Sequence, residues 1–386
     1  MEGRMADGPS RHPSRLSCPS RRSCPMQVPV DVRDFDFDLP PELIAQDPAP
    51  ERTAARLLYL CRETGALAHS TVSGLPRLLH AGDLLVVNNT RVFPARLLGR
   101  RVPSGGAVEC LLIRRIGPDV KDNGSRAAET WEALMHPGQK LKPGSQAIFE
   151  GRPALHAEVL ERHFYGRRLI RLWTEDGSDV AAAVDAIGHV PLPPYIKRDA
   201  AAADRHRYQT MFARERGSVA APTAGLHFTP ALLQALAARG VDVVEVTLHV
   251  GYGTFQPVRV ERVEDHRVEA EQYEITEAAA ASINRALETD RRVIAVGTTT
   301  TRTLETVGAA HDGRIVPGSG ASGLFIYPGF VFRIVGGLLT NFHLPRSSLV
   351  MLVAAFAGRE RVLDAYRVAI EQRYRFYSYG DAMLIV

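Results

Sequence analysis

Between residues 91 and 175 the helical periodicity of this 386-residue chain disappears. Six short runs take its place: ARLLGRRV, AVECLLIRR, TWEALMHP, QAIFE, LHAEVLERH and RRLIRLW. Apolar and polar residues come close to alternating in each, which puts successive side chains on opposite faces of a strand. Six short strands with turns between them predict a small closed barrel or sandwich, because an open sheet leaves unpaired backbone at its edges. A polar, mobile loop is expected over residues 118–129. Helix-bearing sequence flanks the window on both sides, so it reads as an insertion. The expectation is an all-β barrel domain over residues 91–175, interrupting a discontinuous α/β domain of residues 26–90 and 176–386.

In those flanks apolar strand runs alternate with helices, the pattern of a mixed-sheet α/β main domain. GDLLVVNN places a buried strand at residues 84–87, and RRVIAVG and AMLIV are two more. Thr229 stands where an N-cap belongs, Pro230 at the first helical position and Gly240 just past the end, so residues 230–239 predict a helix. VDVVEVTLHV follows as a strand with Val244, Val246, Leu248 and Val250 on one face. A capped helix is expected over residues 277–287, and GLFIYP and VFRIV read as strands. GSGASG at residues 318–323 matches GxGxxG, but strand-like sequence follows where a helix N-terminus would have to hold a pyrophosphate. It therefore reads as a loop.

Charge excludes less than it first suggests. The net charge is +4, but residues 1–25 hold five Arg against Glu2 and Asp7, so they account for +3 of it. A nucleic-acid partner has to be argued from local patches. Those first 25 residues are Arg-, Ser- and Pro-rich with no apolar segment, so they predict a disordered extension, best explained by a start assigned ahead of Met26. No apolar run approaches the ~20 residues that span a bilayer. The four cysteines form no CxxC or zinc-spaced cluster, so the expectation is a cytoplasmic, reduced, metal-free protein without a membrane partner. A monomer is the working expectation.

Several polar residues sit where strands and helices meet. His227 lies in the Gly-rich approach to one helix, His249 near the end of a strand, and Asn341 and His343 in what reads as a loop before an apolar helix. VIAVGTTTTRTLE ends a strand in Gly and four threonines, Thr298, Thr299, Thr300 and Thr301, followed by Arg302. Free N–H groups and hydroxyls at a strand's C-terminal edge suit a carboxylate or a ribose; an ordinary N-cap needs one threonine. Two tracts interleave basic and aromatic residues. One holds Tyr195, Lys197, Arg198, Arg205, Arg207 and Tyr208, a set able to contact phosphates and stack on bases; the other holds Arg373, Arg375, Tyr377 and Tyr379. The plain alternative for both is a solvated charged face over core aromatics.

The strings LPPELIAQDPAPERTAARLL, GDLLVVNNTRVFPARLLG, GHVPLPPYIKR, RYQTMFA, AAPTAGLHFT, TLHVGYGTFQPV, VGTTTTRTLE, GLFIYPGF, LLTNFHLPRSSL and RFYSYGDAMLI occur in this order. Together they resemble, from residue 35 to residue 386, the bacterial S-adenosylmethionine:tRNA ribosyltransferase-isomerase family of queuosine biosynthesis. The resemblance implies transfer and isomerisation of the ribosyl part of S-adenosylmethionine onto 7-aminomethyl-7-deazaguanine at the wobble position of a tRNA with a GUN-type anticodon. Epoxyqueuosine-tRNA, adenine and methionine would be the products. No bound cofactor is implied, S-adenosylmethionine being the ribosyl donor and a substrate. Such chemistry needs a base beside the sulfonium, a donor to the departing adenine, a neutral amine and exclusion of water. His227, His249 and His343 are then the catalytic candidates. Thr298 to Thr301, Arg302, Asn341, Tyr379 and Asp381 are candidates for holding substrate. His266 and Glu271 match the family's pattern, whereas Val268, Glu269, Ala270, Asn89 and Gly336 depart from it. Two other classes compete. A methyltransferase would need a Gly-rich loop between its first strand and helix, and a non-catalytic RNA-binding protein would not need clustered His, Thr and Asn.

Overall fold

The computed structural model describes residues 30–116, 128–255 and 257–386. The readings for residues 1–25 and for most of the 118–129 loop lie outside them, but Ala128 and Glu129 begin a strand.

In chain order the strands are β1 (Arg56–Leu60), β2 (Leu67–Thr71), β3 (Leu84–Asn88), β4 (Thr90–Val92), β5 (Arg96–Val102), β6 (Ala107–Arg115), β7 (Ala128–His136), β8 (Gln146–Phe149), β9 (Leu155–Arg162), β10 (Arg167–Thr174), β11 (Glu215–Ser218), β12 (Asp242–Leu248), β13 (Glu271–Ile275), β14 (Val293–Val296), β15 (Gly318–Ser322), β16 (Gly337–Asn341) and β17 (Ala382–Ile385). The helices are α1 (Leu75–Leu78), α2 (Val180–Ile187), α3 (Asp204–Arg207), α4 (Pro230–Ala237), α5 (Glu277–Glu288), α6 (Thr298–Ala310), α7 (Ser348–Ala357) and α8 (Arg359–Glu371).

Nine strands form one sheet in the order β15-β13-β12-β3-β14-β16-β17-β1-β2. Strands β12, β3, β14 and β16 run parallel at its centre. Such strands are covered on both faces, which is why β14 throughout and β3 up to its last residue, Asn88, are apolar rather than alternating. Leu84, Val86 and Ala295 pack on one side with Leu304 of α6, Val353 of α7 and Tyr366 of α8. Leu85, Val87 and Ile294 pack on the other with Leu75 of α1 and Leu232 and Leu236 of α4. Helix α4 is stopped as its residues dictate: Thr229 accepts from the Leu232 N–H, Pro230 leads, and Gly240 takes φ 74°.

The other six strands close as a barrel, β10-β7-β6-β5-β8-β9, antiparallel at every pairing. Its inward residues alternate along each strand, and Val180, Ala183 and Val184 of α2 pack against its core. The barrel joins the sheet through the short parallel pair β4 and β11 and through an ion pair between Arg167 and Glu269. The expected α/β layer with an all-β barrel is what the chain adopts.

The structure corrects one loop reading and two strand readings. GSGAS is itself strand β15, at the sheet edge; Gly320 is required there because a Cβ would lie 2.5 Å from the Tyr273 hydroxyl of β13. GLFIYP and VFRIV form no strands, because side chains of α6 take their backbone groups. Arg302 donates to the Leu324 carbonyl at 2.9 Å, and the buried Glu305 carboxylate accepts from the N–H groups of Arg333, Ile334 and Val335. Asn341, expected in a loop, is the last residue of β16.

Candidate active site

Parallel strands present their ligand-facing loops at their C-terminal ends. Here those ends are Asn88, Leu248, Val296 and Asn341. The residues that follow β14 and β16 line a pocket with the turn at Thr223–His227 (TAGLH) and with Tyr195, Tyr377 and Ser378. Thr298, Thr299, Asn341 and His343 all line it. It contains no charged side chain, and its volume is about 40 Å³.

The four threonines divide. Thr300 and Thr301 are fully buried and donate to the Val296 and Gly297 carbonyls at 2.8 and 3.1 Å, so their hydroxyls are absorbed by the helix they begin. Thr298 and Thr299 face the pocket, and the buried Thr299 Oγ1 has no hydrogen-bond partner. Gly297, at φ 97°, precedes the helix and offers no side-chain cap. Arg302 lies elsewhere: it pairs with Glu271 at 2.7 Å and donates to the Leu324 and Ser322 carbonyls, all beneath the surface.

Asn341 is oriented by its neighbours. Its Nδ2 donates to the Tyr377 carbonyl at 3.0 Å and lies 3.4 Å from His227 Nε2, which leaves Oδ1 buried and unpaired. Tyr377 turns that carbonyl inward from φ 74°, a left-handed conformation unusual for tyrosine.

The three histidines occupy three settings. His343 is buried in the pocket wall with Nε2 2.9 Å from Thr340 Oγ1, and burial pushes its imidazole down to about 3. His227 sits behind Asn341 in a small adjoining hollow with Arg52, Arg207 and Tyr379. Burial brings it to about 4; donation from the ring to the Arg52 backbone opposes this, and the Arg375 and Arg52 cations add to it. Both rings are thus neutral at pH 7. His249 points into a different space, a cleft of about 540 Å³ between barrel and sheet that Arg114, Trp131, Arg167, Arg216 and Glu269 also line. Its Nδ1 lies 2.8 Å from Thr90 Oγ1, and burial lowers its pKa. Gly217 faces the ring so closely that a Cβ there would lie 2.5 Å from Nδ1.

A single loop, residues 250–254, divides these spaces. Val250 borders both pocket and cleft, and Thr254 borders the pocket. Glu271 fixes the loop by accepting from the Gly251 N–H at 2.8 Å and from Thr254 Oγ1 at 3.3 Å.

The remaining expected residues serve other neighbours. Asp381 accepts from the Arg56 and Arg375 N–H groups and ties the chain together away from the pocket. Tyr379 donates to Asp204 at 2.8 Å. In the basic tract Tyr208 is fully buried, and Tyr195 is bonded through its hydroxyl to Ser378 and faces the uncharged pocket. Arg198 grips buried Asp204 at 2.7 Å, and Arg207 holds the Pro50 and Ala49 carbonyls. Lys197 and Arg205 are the exposed members, and Arg205 also donates to the Gly188 carbonyl at 2.8 Å. Thr223, Thr340 and Glu271 matter more to the geometry than their sequence setting indicated. Thr340 could have been found from its place beside Asn341 at a strand end; Glu271 was marked by its match to the family's pattern, without a role. Among the described residues no group of three or more His, Cys, Asp or Glu is placed to hold a metal ion, and no helix is long and apolar enough to cross a membrane.

The chain is similar over nearly its whole length to proteins of one family. A family described as queuosine biosynthesis protein matches residues 32–385. S-adenosylmethionine:tRNA ribosyltransferase-isomerase of Heliobacterium modesticaldum is 49% identical over 358 residues, covering 92% of this chain and 100% of that protein. Its counterpart in Moorella thermoacetica is 51% identical over 355 residues, covering 92% and 99%. The crystal structure of S-adenosylmethionine tRNA ribosyltransferase from Thermotoga maritima is 36% identical, covers 92% of this chain and 100% of its own, and superposes with a TM-score of 0.51. With both barrel and sheet inside these matches, this chain belongs to the queuosine biosynthesis protein family.

Proposed function

We propose that this protein transfers and isomerises the ribosyl moiety of S-adenosylmethionine onto 7-aminomethyl-7-deazaguanine in a tRNA with a GUN-type anticodon, releasing adenine and methionine. The observation that carries the reading is the pairing of two spaces across the 250–254 loop. An uncharged pocket with the neutral imidazole of His343 in its wall, and that of His227 in the hollow behind it, adjoins a wider cleft lined by four arginines, four glutamates and the Trp131 ring. A small donor and a tRNA nucleotide could meet across such a wall.

In this reading His343 and His227 exchange protons with the donor. A neutral ring can accept the proton acidified by the adjacent sulfonium, and low basicity lets it return that proton readily to adenine. His249, held by Thr90 on the cleft side, serves the aminomethyl group, which has to lose a proton before it can attack. Burial of His343 in the pocket wall and of His227 behind it keeps water from the reactive ribose. Lys197 and Arg205 meet the RNA backbone. We place the reaction in the cytoplasm, with no bound cofactor.

The test is product analysis. Incubated with S-adenosylmethionine and tRNA bearing the aminomethyl-deazaguanine, the protein should release adenine and methionine and load a ribose-derived group onto the base. S-adenosylhomocysteine with methylated tRNA would establish a methyltransferase instead, and tRNA binding without turnover would leave an RNA-binding protein.

A further inference from the structure

We infer that the pocket between β14 and β16 is the seat of the donor's amino-acid end, with Thr299 and the first turn of α6 holding the methionine carboxylate and Asn341 Oδ1 accepting from its ammonium group. This rests on the donor proposed above and says which part of it the pocket recognises.

Two buried polar atoms on different elements have no partner, Thr299 Oγ1 on α6 and Asn341 Oδ1 at the end of β16. Their residues are only 6% and 2% exposed, and both line the same pocket. Buried polar groups are nearly always satisfied, so two orphans facing one space indicate a ligand that completes them. The chemistry of each orphan is fixed. Asn341 Nδ2 is engaged with the Tyr377 carbonyl, so Oδ1 can only accept and its partner must be a donor. Thr299 stands in the first turn of a 13-residue helix whose preceding residue, Gly297, provides no side-chain cap. Uncapped N–H groups and the positive end of the helix favour an anion.

The complementary ligand therefore carries an anion and an N–H donor side by side. Within S-adenosylmethionine only the amino-acid end has both, since adenine and ribose carry no negative charge. A zwitterion also suits a pocket with no charged side chain, because no net charge is buried.

The experiment measures binding of L-methionine, its methyl ester and its desamino analogue 4-(methylthio)butanoate by calorimetry, with adenosine as the control. Wild-type protein should bind methionine at least tenfold more tightly than either analogue. Thr299→Val should abolish the penalty for the ester and keep that for the desamino compound; Asn341→Leu should do the reverse. Adenine release by the wild type, run in parallel, reports on the reaction itself. Turnover accompanied by equal ester penalties in wild type and Thr299→Val would overturn the subsite while leaving the function standing. So would displacement of methionine by adenosine, which would put the nucleoside in this pocket. Absence of turnover with tRNA would fail the function first. Thr299→Ser, which keeps the hydroxyl, should retain the wild-type preference and so separates recognition from misfolding.

Discussion

Burial of His227 and His343 should make the α/β layer lose stability on mild acidification, and the loss can be sized. An imidazole near 6.5 in the unfolded chain falls to about 4 at His227 and about 3 at His343 in the fold. The unfolded state then binds more protons between those values, so stability is full above pH 6.5 and declines as pH falls. At pH 5, about 1.5 units below the unfolded value and at about 1.4 kcal/mol per unit, each ring accounts for about 2 kcal/mol. His249 and His266, also lowered by burial, act in the same direction, while Glu305, raised by burial, acts in the opposite one. Differences between variants are therefore the quantity to measure. Urea unfolding at pH 8 and pH 5, followed by far-ultraviolet circular dichroism, should show His227→Gln and His343→Gln each losing about 2 kcal/mol less than the wild type between the two conditions. Both tryptophans, Trp131 and Trp173, lie on barrel strands, so their fluorescence follows the barrel as an internal control. Equal pH dependence in wild type and both variants would refute the claim that these rings are neutral because they are buried.

Three further outcomes are expected. Lys197→Ala and Arg205→Ala should each lower the log–log salt slope of tRNA binding by about one. Arg198→Ala should instead cost on the order of 2 kcal/mol of stability, since it strips the buried Asp204 carboxylate of its cation; an equal slope change for Arg198 would put it on the RNA surface. Gly217→Ala should push the His249 ring off Thr90 and reduce turnover at least tenfold with little change in melting temperature, and unchanged turnover would show that the ring's position is not used. Glu271→Gln should destabilise by roughly 3 kcal/mol because Arg302 is left buried and unpaired, and should raise the KM for the donor by loosening the 250–254 loop. A lower melting temperature with unchanged KM would confine Glu271 to support.

Sequence disclosed most where one residue's chemistry decided one local outcome. The Thr229–Pro230 start of α4, the apolar runs of β3 and β14 and the six barrel strands all follow from period and capping. It disclosed least where groups distant in sequence compete for the same backbone. The apolar run at residues 324–335 has strand texture, but Arg302 and Glu305 of α6 take its carbonyls and N–H groups. The site divided in the same way. A strand's end singled out Thr299, and a polar loop between apolar flanks singled out Asn341 and His343, yet Thr299 and Thr301 differ by little more than half a turn of helix, which decides whether a hydroxyl meets the pocket or a carbonyl. The basic tract had the composition of an RNA surface, but most of its charge is taken up by carboxylates and carbonyls inside the protein.

The strand order sets an order of events during synthesis. Every strand of the barrel lies between residues 96 and 174, so its pairings can form as soon as that segment leaves the ribosome. The sheet is different: β1 pairs with β17 across more than 300 residues, and β17 stands between β16 and β1 rather than at an edge. Until residues 382–385 emerge, β1 and β2 have no attachment to the rest of the sheet, and β16 presents an open side. Contacts of such long range form late and leave apolar strand edges exposed in the meantime. A nascent chain of this protein should therefore carry a finished barrel beside an unfinished, aggregation-prone layer for most of its translation, and that layer is the part a chaperone would have to shield.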